Sequence, residues 1–188
     1  MTCWSTTNMN MNNFTIKSQE AVQKAQEIAS SNSNQTIENA HILKGILLVD
    51  ENVIPFLFGK LNVDLEPFSM ALDKIIESFP KVSGGEQYLS KDASKSLQEA
   101  NSYLKQFNDQ YVSIEHILLG ILKSNDQVSR LMKDNGINQK DFIAAIKDLR
   151  KGSTVNSQTA EDTYNALNRY SRNLNHLASQ GKLDPVIG

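Results

Sequence analysis

Apolar residues return at spacings of three and four through most of this chain. Ala21, Val22, Ala25, Ile28 and Ala29 form one stripe, and Ile42, Leu43, Ile46 and Leu47 form a second. Val53 to Leu61 is a short third segment, and Phe68, Ala71, Leu72, Ile75, Ile76 and Phe79 make a fourth. This spacing puts side chains on one face of an α-helix, so four helices are predicted. Thr15 starts the first as an N-cap and Pro80 stops the fourth. No segment alternates with the two-residue period of a strand, so none is predicted. After the turn-forming Ser83, Gly84 and Gly85, helical stripes resume with Ala93, Leu97, Ala100, Leu104 and Phe107.

The second half copies the first. His41, Ile42, Leu43, Gly45, Ile46 and Leu47 match His116, Ile117, Leu118, Gly120, Ile121 and Leu122 at a constant offset of 75 positions. The same register pairs Thr15 with Ser90 and Ala25 with Ala100; after one deletion it pairs Leu57, Val63, Phe68 and Leu72 with Leu131, Ile137, Phe142 and Ile146. A unit of four short helices cannot cover its own apolar faces. The prediction is therefore an all-α, eight-helix double repeat, with units at about 14–80 and 89–150 related by a pseudo-twofold axis around one core.

The flanks differ. Residues 1–13 are polar, with neither the basic start nor the apolar stretch of a signal peptide, and read as a disordered leader. Residues 151–160 lack periodicity and read as a flexible linker. Residues 161–188 read as a further helix and the start of a connection, with Tyr164, Leu167, Tyr170, Leu174, Leu177 and Ala178 as a seam in search of a partner and Gly181 as the cap.

Composition narrows the function classes. The 188 residues are 39% hydrophobic and 21% charged, with a net charge of −2. That describes a folding domain with no electrostatic footprint for nucleic acid or an anionic membrane. A single cysteine, Cys3, permits no internal disulfide, and a cytoplasmic setting is expected. Catalytic motifs are missing. Gly59-Lys60 is preceded at the required position by Ile54 and followed by Leu61, so no phosphate-binding loop forms. His41, His116 and His176 have no ligand-spaced neighbours; no metal site is predicted, and His41 and His116 are expected to pack or cap at helix starts. No serine sits in a nucleophile elbow.

One polar cluster has two readings. Asp109 to His116 places Ser113 at an N-cap and Glu115 in the first helical turn, where a carboxylate suits the positive helix end. The same residues would equally form a binding edge, two acids and a hydroxyl beside an apolar groove, suited to an extended peptide. The pattern does not choose between them.

Three stretches carry a family resemblance: Phe14 to Ala29 (FTIKSQEAVQKAQEIA), the doubled H-I-L-x-G-I-L run, and Ala160 to Gly188 (AEDTYNALNRYSRNLNHLASQGKLDPVIG). Together they resemble the start of the ClpB-type disaggregases, AAA+ chaperones of the Clp group, over essentially everything after Met11. GKLDPVIG is similar to the segment that leads into the first ATPase domain of two-ring Clp chaperones, and Tyr170, Leu174, Ala178 and Gly181 resemble their linker helix. The resemblance implies a chain that stops just before a motor domain. It implies an N-domain, not itself an enzyme, that weakly binds unfolded or aggregated polypeptide and delivers it to a homohexameric ring working with the DnaK system. ATP, magnesium, the hexamer and a coiled-coil insertion would belong to the full-length protein alone. The alternative is an adaptor-docking N-domain of the protease-feeding ClpC and ClpA type. Family positions implicated in substrate handling correspond to Thr15, Asp109 and Glu115. The family's apolar groove corresponds to Leu97, Tyr103 and His116, where the tyrosine and histidine are more polar than the leucines common there.

Overall fold

The computed structural model describes residues 10–163. The seam expected over Tyr164 to Ala178, His176, Gly181 and the LDPVIG segment lie outside the described residues, as do Cys3 and the first nine positions. The first unit consists of α1 (Ile16–Ser31), α2 (Asn39–Val49), α3 (Val53–Lys60) and α4 (Leu65–Glu77). The second consists of α5 (Lys91–Ser102), α6 (Leu104–Phe107), α7 (Ile114–Lys123), α8 (Gln127–Asp134) and α9 (Gln139–Arg150). The architecture is thus all-α, and the two sets of four long helices follow the predicted repeat.

Local chemistry sets the boundaries. The Thr15 hydroxyl accepts the Ser18 N–H at 3.1 Å to open α1, and Ser90 does the same for Ala93 at 3.0 Å to open α5. Helix α4 closes at Ser78, two residues ahead of Pro80. The additional helix α6 arises because the chain turns at Tyr103, makes a single turn, and leaves it at Asn108 in the left-handed region (φ 55°).

The prediction of no strand is corrected by two very short parallel contacts. Residues Thr36–Ile37 (β1) pair with Tyr88–Leu89 (β2), and Phe14 forms an isolated bridge with Val112. Two residues are too few to show an alternation in sequence. The two contacts are related by the repeat: Ile37 with Leu89 becomes Val112 with Phe14 at the same offset of 75. Each unit therefore lends its entry strand to the other.

Packing is reciprocal in the same way. Helix α1 lies on α2 and α5 on α7, while α3 packs against α9 and α4 against α8 across the pseudo-twofold. One continuous core results, in which Phe58 and Phe68 meet edge to face at 5.0 Å and Phe142 is fully buried. The helix pairs within each unit touch backbone to backbone. A Cβ on Gly45 would stand 2.4 Å from the Ala21 carbonyl oxygen, and one on Gly120 would stand 2.1 Å from that of Ser96.

Both flanks depart from expectation where they are described. Residues Met11–Asn13, placed in the disordered leader, form a 3-10 turn; Met11 packs on the core, and the Asn13 carbonyl accepts the Val112 N–H at 2.8 Å. Residues 151–160, read as a flexible linker, run back across the domain, with Val155 and Ala160 buried. Composition reads this stretch as solvated because one valine is its only sizeable apolar anchor. Among the described residues, no helix is long and apolar enough to cross a membrane.

Candidate functional site

The turn from α6 into α7, the last residue of α9 and the start of α1 converge on one buried polar centre. Asp109 is its hub. Its Oδ2 accepts from His116 Nε2 at 2.7 Å and from an Arg150 guanidinium N–H at 2.6 Å, and its Oδ1 accepts the Val155 N–H at 2.8 Å. Burial alone would raise the Asp109 pKa, but the His116, Val155 and Arg150 donors outweigh it and hold the carboxyl below its ordinary value.

His116 is oriented from both sides. Its Nδ1 accepts the Ser113 backbone N–H at 2.8 Å, so the ring proton resides on Nε2 and points at Asp109. Phe107 meets the ring edge-on at 5.6 Å, and the Arg150 guanidinium lies 5.0 Å over the Phe107 face. Aspartate, histidine and serine thus stand in the order of a hydrolase triad. They work as a cap instead: the Ser113 hydroxyl donates to Glu115, and the Ser113 and His116 side chains are fully enclosed.

Glu115 lies within 3.5 Å of Arg150 and is completely buried, where sequence permits a solvated helix-end charge. Beside it sits Glu161, 1% exposed, whose Oε1 accepts from the Thr15 hydroxyl at 2.9 Å and from the Ile114 N–H at 3.0 Å. Burial, followed by the neighbouring Glu115 charge, pushes the Glu161 pKa up to about 8. Ser18 completes the edge, donating to the Val112 carbonyl at 2.9 Å.

Thr15, Asp109 and Glu115 are therefore brought together, from both units, around Arg150 and Glu161. They do not border an open edge. Thr15 and Glu115 are 0% exposed and Asp109 9%. Leu97 (1%), Tyr103 (5%) and His116 (0%) are covered as well, with the Tyr103 hydroxyl accepting from Gln139 at 3.2 Å. Another polypeptide reaches these residues only if a covering element moves. An open apolar groove lies elsewhere, on the first unit, lined by Leu47, Ile54, Pro55, Leu65 and Met70 with the buried Asp50 and the exposed Glu66 beside them.

Sequence reading missed Arg150 and Glu161. An arginine closing an amphipathic helix looks like a dipole-complementing surface charge, and a glutamate opening a new helix looks solvated. The comparison between units was the available signal. His41 repeats the His116 arrangement, with Nδ1 accepting from the Glu38 N–H at 2.9 Å and Nε2 pointing at Asn34 at 3.0 Å. At the offset of 75, however, Asn34 stands for Asp109, Ala40 for Glu115 and Ala93 for Ser18. The acids are therefore placed differently in the two sites: the second buries Asp109 and Glu115, whereas the first has a half-buried Glu38 where the second has Ser113. His41 and His116 are each committed within their own unit, and among the described residues no group of histidine, cysteine, aspartate or glutamate is placed to hold a metal.

The comparisons with known proteins agree with one another. The family model described as "Clp repeat (R) N-terminal domain" matches residues 13–135. "Chaperone protein ClpB" of Bacteroides thetaiotaomicron is 52% identical over 180 residues, covering 96% of this chain and 21% of that protein, so the chain spans about a fifth of the relative's length. Among solved structures, the Hsp104 N-terminal domain from Candida albicans superposes with a TM-score of 0.70 at 21% identity, covering 79% of this chain and 99% of that one. A complex of a ClpV N-domain with a VipB peptide gives a TM-score of 0.61 at 13% identity, covering 73% of this chain and 86% of that one.

Proposed function

This chain belongs to the Clp repeat (R) N-terminal domain family and is similar to the N-terminal region of ClpB, and on that footing we propose that it receives polypeptide for a ClpB-type disaggregase. It captures unfolded or aggregated clients weakly and passes them to a hexameric ring that acts with DnaK in the cytoplasm. ATP and magnesium are assigned to that ring. Gly59 and Lys60 are the exposed last residues of α3, with Lys60 paired to Asp148 at 3.3 Å and Leu61 where a magnesium-binding hydroxyl would be required.

A single observation carries the reading. Residues 153–158 cross the Asp109 centre without helix, and main-chain groups are exchanged with it. The Val155 carbonyl accepts from Gln110 at 2.8 Å, the Gln158 carbonyl accepts from Ile16 at 3.0 Å, and the Val155 N–H is held by Asp109. A site that seats this stretch of chain has the shape and the hydrogen-bonding groups to seat another.

Titration of the whole chain with a permanently unfolded polypeptide, followed by NMR shift mapping, tests it. Perturbed amides around Thr15, Asp109 and Glu115 are expected. Perturbation confined to Leu47, Leu65 and Met70 would move binding to the groove on the first unit and overturn the site assignment.

A further inference from the structure

The reading above leaves Thr15, Asp109 and Glu115 covered, and what covers them is this chain's own residues 153–161. Of these nine, only Val155, Ala160 and Glu161 are buried. One valine and one alanine supply too little apolar area to order nine residues, so the segment depends on its polar contacts. Among the amide protons that donate across the contact, four serve as reporters: Val155 to Asp109, Gln110 to Val155, Ile16 to Gln158, and Ile114 to the Glu161 carboxyl.

We propose that residues 153–161 are an autoinhibitory strap, a peptide in cis that fills the polypeptide site and must leave before another chain can reach Thr15, Asp109 or Glu115. The proposal rests on the functional reading above and adds a latch, Glu161. The groups facing Glu161 are the Glu115 carboxylate from α7, itself 3.5 Å from Arg150 of α9, and Lys17 of α1, which lies 3.8 Å from the exposed Asp162. The Glu161 carboxyl accepts two hydrogen bonds and meets a like charge, so its neutral form fits the closed strap. Its ionised form is repelled by Glu115 and is only partly offset by Lys17, which is shared with Asp50 at 3.6 Å. Ionisation loosens the strap.

Hydrogen exchange on the whole chain reads the four cross-strap amides against amides inside α4 and α8. With intrinsic rates corrected, the parent is expected to lose about tenfold protection at those four positions between about pH 6.5 and 8.5, with α4 and α8 unchanged. Glu161→Gln, which keeps a neutral acceptor, should hold its protection at both pH values. Val155→Asp, which places a second carboxylate beside Asp109, should lose it at both. A fluorescent, permanently unfolded polypeptide is then expected to bind Val155→Asp about fivefold or more tightly than the parent, and Glu161→Gln more weakly than the parent near pH 8.5.

Unprotected strap amides in the parent near pH 6.5 would overturn the strap. So would parent-like affinity in Val155→Asp once its strap amides are open; both outcomes leave the receiving function standing. Absence of polypeptide binding in every variant, with the strap open, removes that function and the strap's role with it. Should Val155→Asp unfold, the contrast between Glu161→Gln and the parent near pH 8.5 decides alone, and equal affinities there overturn the proposal.

Discussion

Replacing Asp109 by asparagine changes one atom and should cost far more than its size suggests. Three donors reach the carboxylate: His116 Nε2 at 2.7 Å, Arg150 at 2.6 Å and the Val155 N–H at 2.8 Å. Asparagine offers one oxygen, so at least one donor must face an NH2 group, and the Arg150 guanidinium loses a partner inside the protein. Breaking a buried ion pair by removing one member costs about 3–5 kcal/mol, and the orphaned donor lies within that figure. With a urea dependence of about 2 kcal/mol per M for a domain of this size, the unfolding midpoint should fall by about 2 M.

The repeat supplies the control. At the matching position, Asn34 accepts from His41 at 3.0 Å through its oxygen and donates to the Pro80 carbonyl at 3.1 Å through its nitrogen. The chain passing Asn34 presents a carbonyl, and the chain passing Asp109 presents an N–H; the residue choice follows. Asn34→Asp should therefore also destabilise, by about 1–3 kcal/mol, because a carboxylate would face the Pro80 oxygen. Urea unfolding of both variants near neutral pH is the assay. A loss under about 1 kcal/mol in Asp109→Asn would refute the assignment of Asp109 as the hub.

Other consequences can be measured on the same material. Gly120→Ala should destabilise by about 2–4 kcal/mol despite its better helix propensity, because the added Cβ meets the Ser96 carbonyl oxygen at 2.1 Å. Gly59→Ala, with no atom within 4 Å of the added Cβ, should stabilise by about 0.5–1 kcal/mol, and thermal melts compare the two. Glu161, raised from 4.5 to about 8, binds a proton in the folded state that the unfolded state has released. Its contribution is fully present below about pH 4.5 and is lost as pH rises toward 8, until the strap opens and frees the carboxylate, a decline that Glu161→Gln should flatten. His41 acts in the opposite sense. Burial lowers its pKa from 6.5 to about 4, so its contribution is lost as pH falls through that window, by about 3 kcal/mol. Stability against pH in buffered denaturant titrations should accordingly show a plateau between about pH 4.5 and 6.5, where the two slopes cancel, and fall on either side.

How much of this was legible from sequence follows from how far apart the partners lie. The helices were readable because each is written locally, in stripes such as Ile42, Leu43 and Ile46 and in caps such as Thr15 and Ser90. The pseudo-twofold was readable from the doubled histidine-glycine run, and the two glycines prove to be points where helix backbones approach too closely for a Cβ. The polar centre was only half readable. Thr15, Asp109 and Glu115 were named through resemblance, yet their partners Arg150, Val155 and Glu161 lie tens of positions away, in residue types that look solvated where they stand. The flanking stretches failed for the same reason, since Met11 and Val155 are single apolar anchors in polar surroundings and periodicity needs several.

The two copies nevertheless carry the missing information in their disagreements. Where both units need the same thing they agree: a hydroxyl at Thr15 and Ser90, a histidine at 41 and 116, a glycine at 45 and 120. A duplicated core tolerates few buried charges unless something compensates them, because each unpaired one costs several kcal/mol. Asp109 for Asn34 and Glu115 for Ala40 therefore required new partners, which Arg150 and the Val155 N–H supply, while Ser18 for Ala93 adds a hydroxyl that donates to the Val112 carbonyl. All three substitutions fall on one of the two sites that the pseudo-twofold relates, the one the strap crosses. The site at Asn34 and Ser90, with Glu38 as its half-buried acid, caps and holds the units together, and the one at Asp109 is where two acids, an arginine and the strap meet.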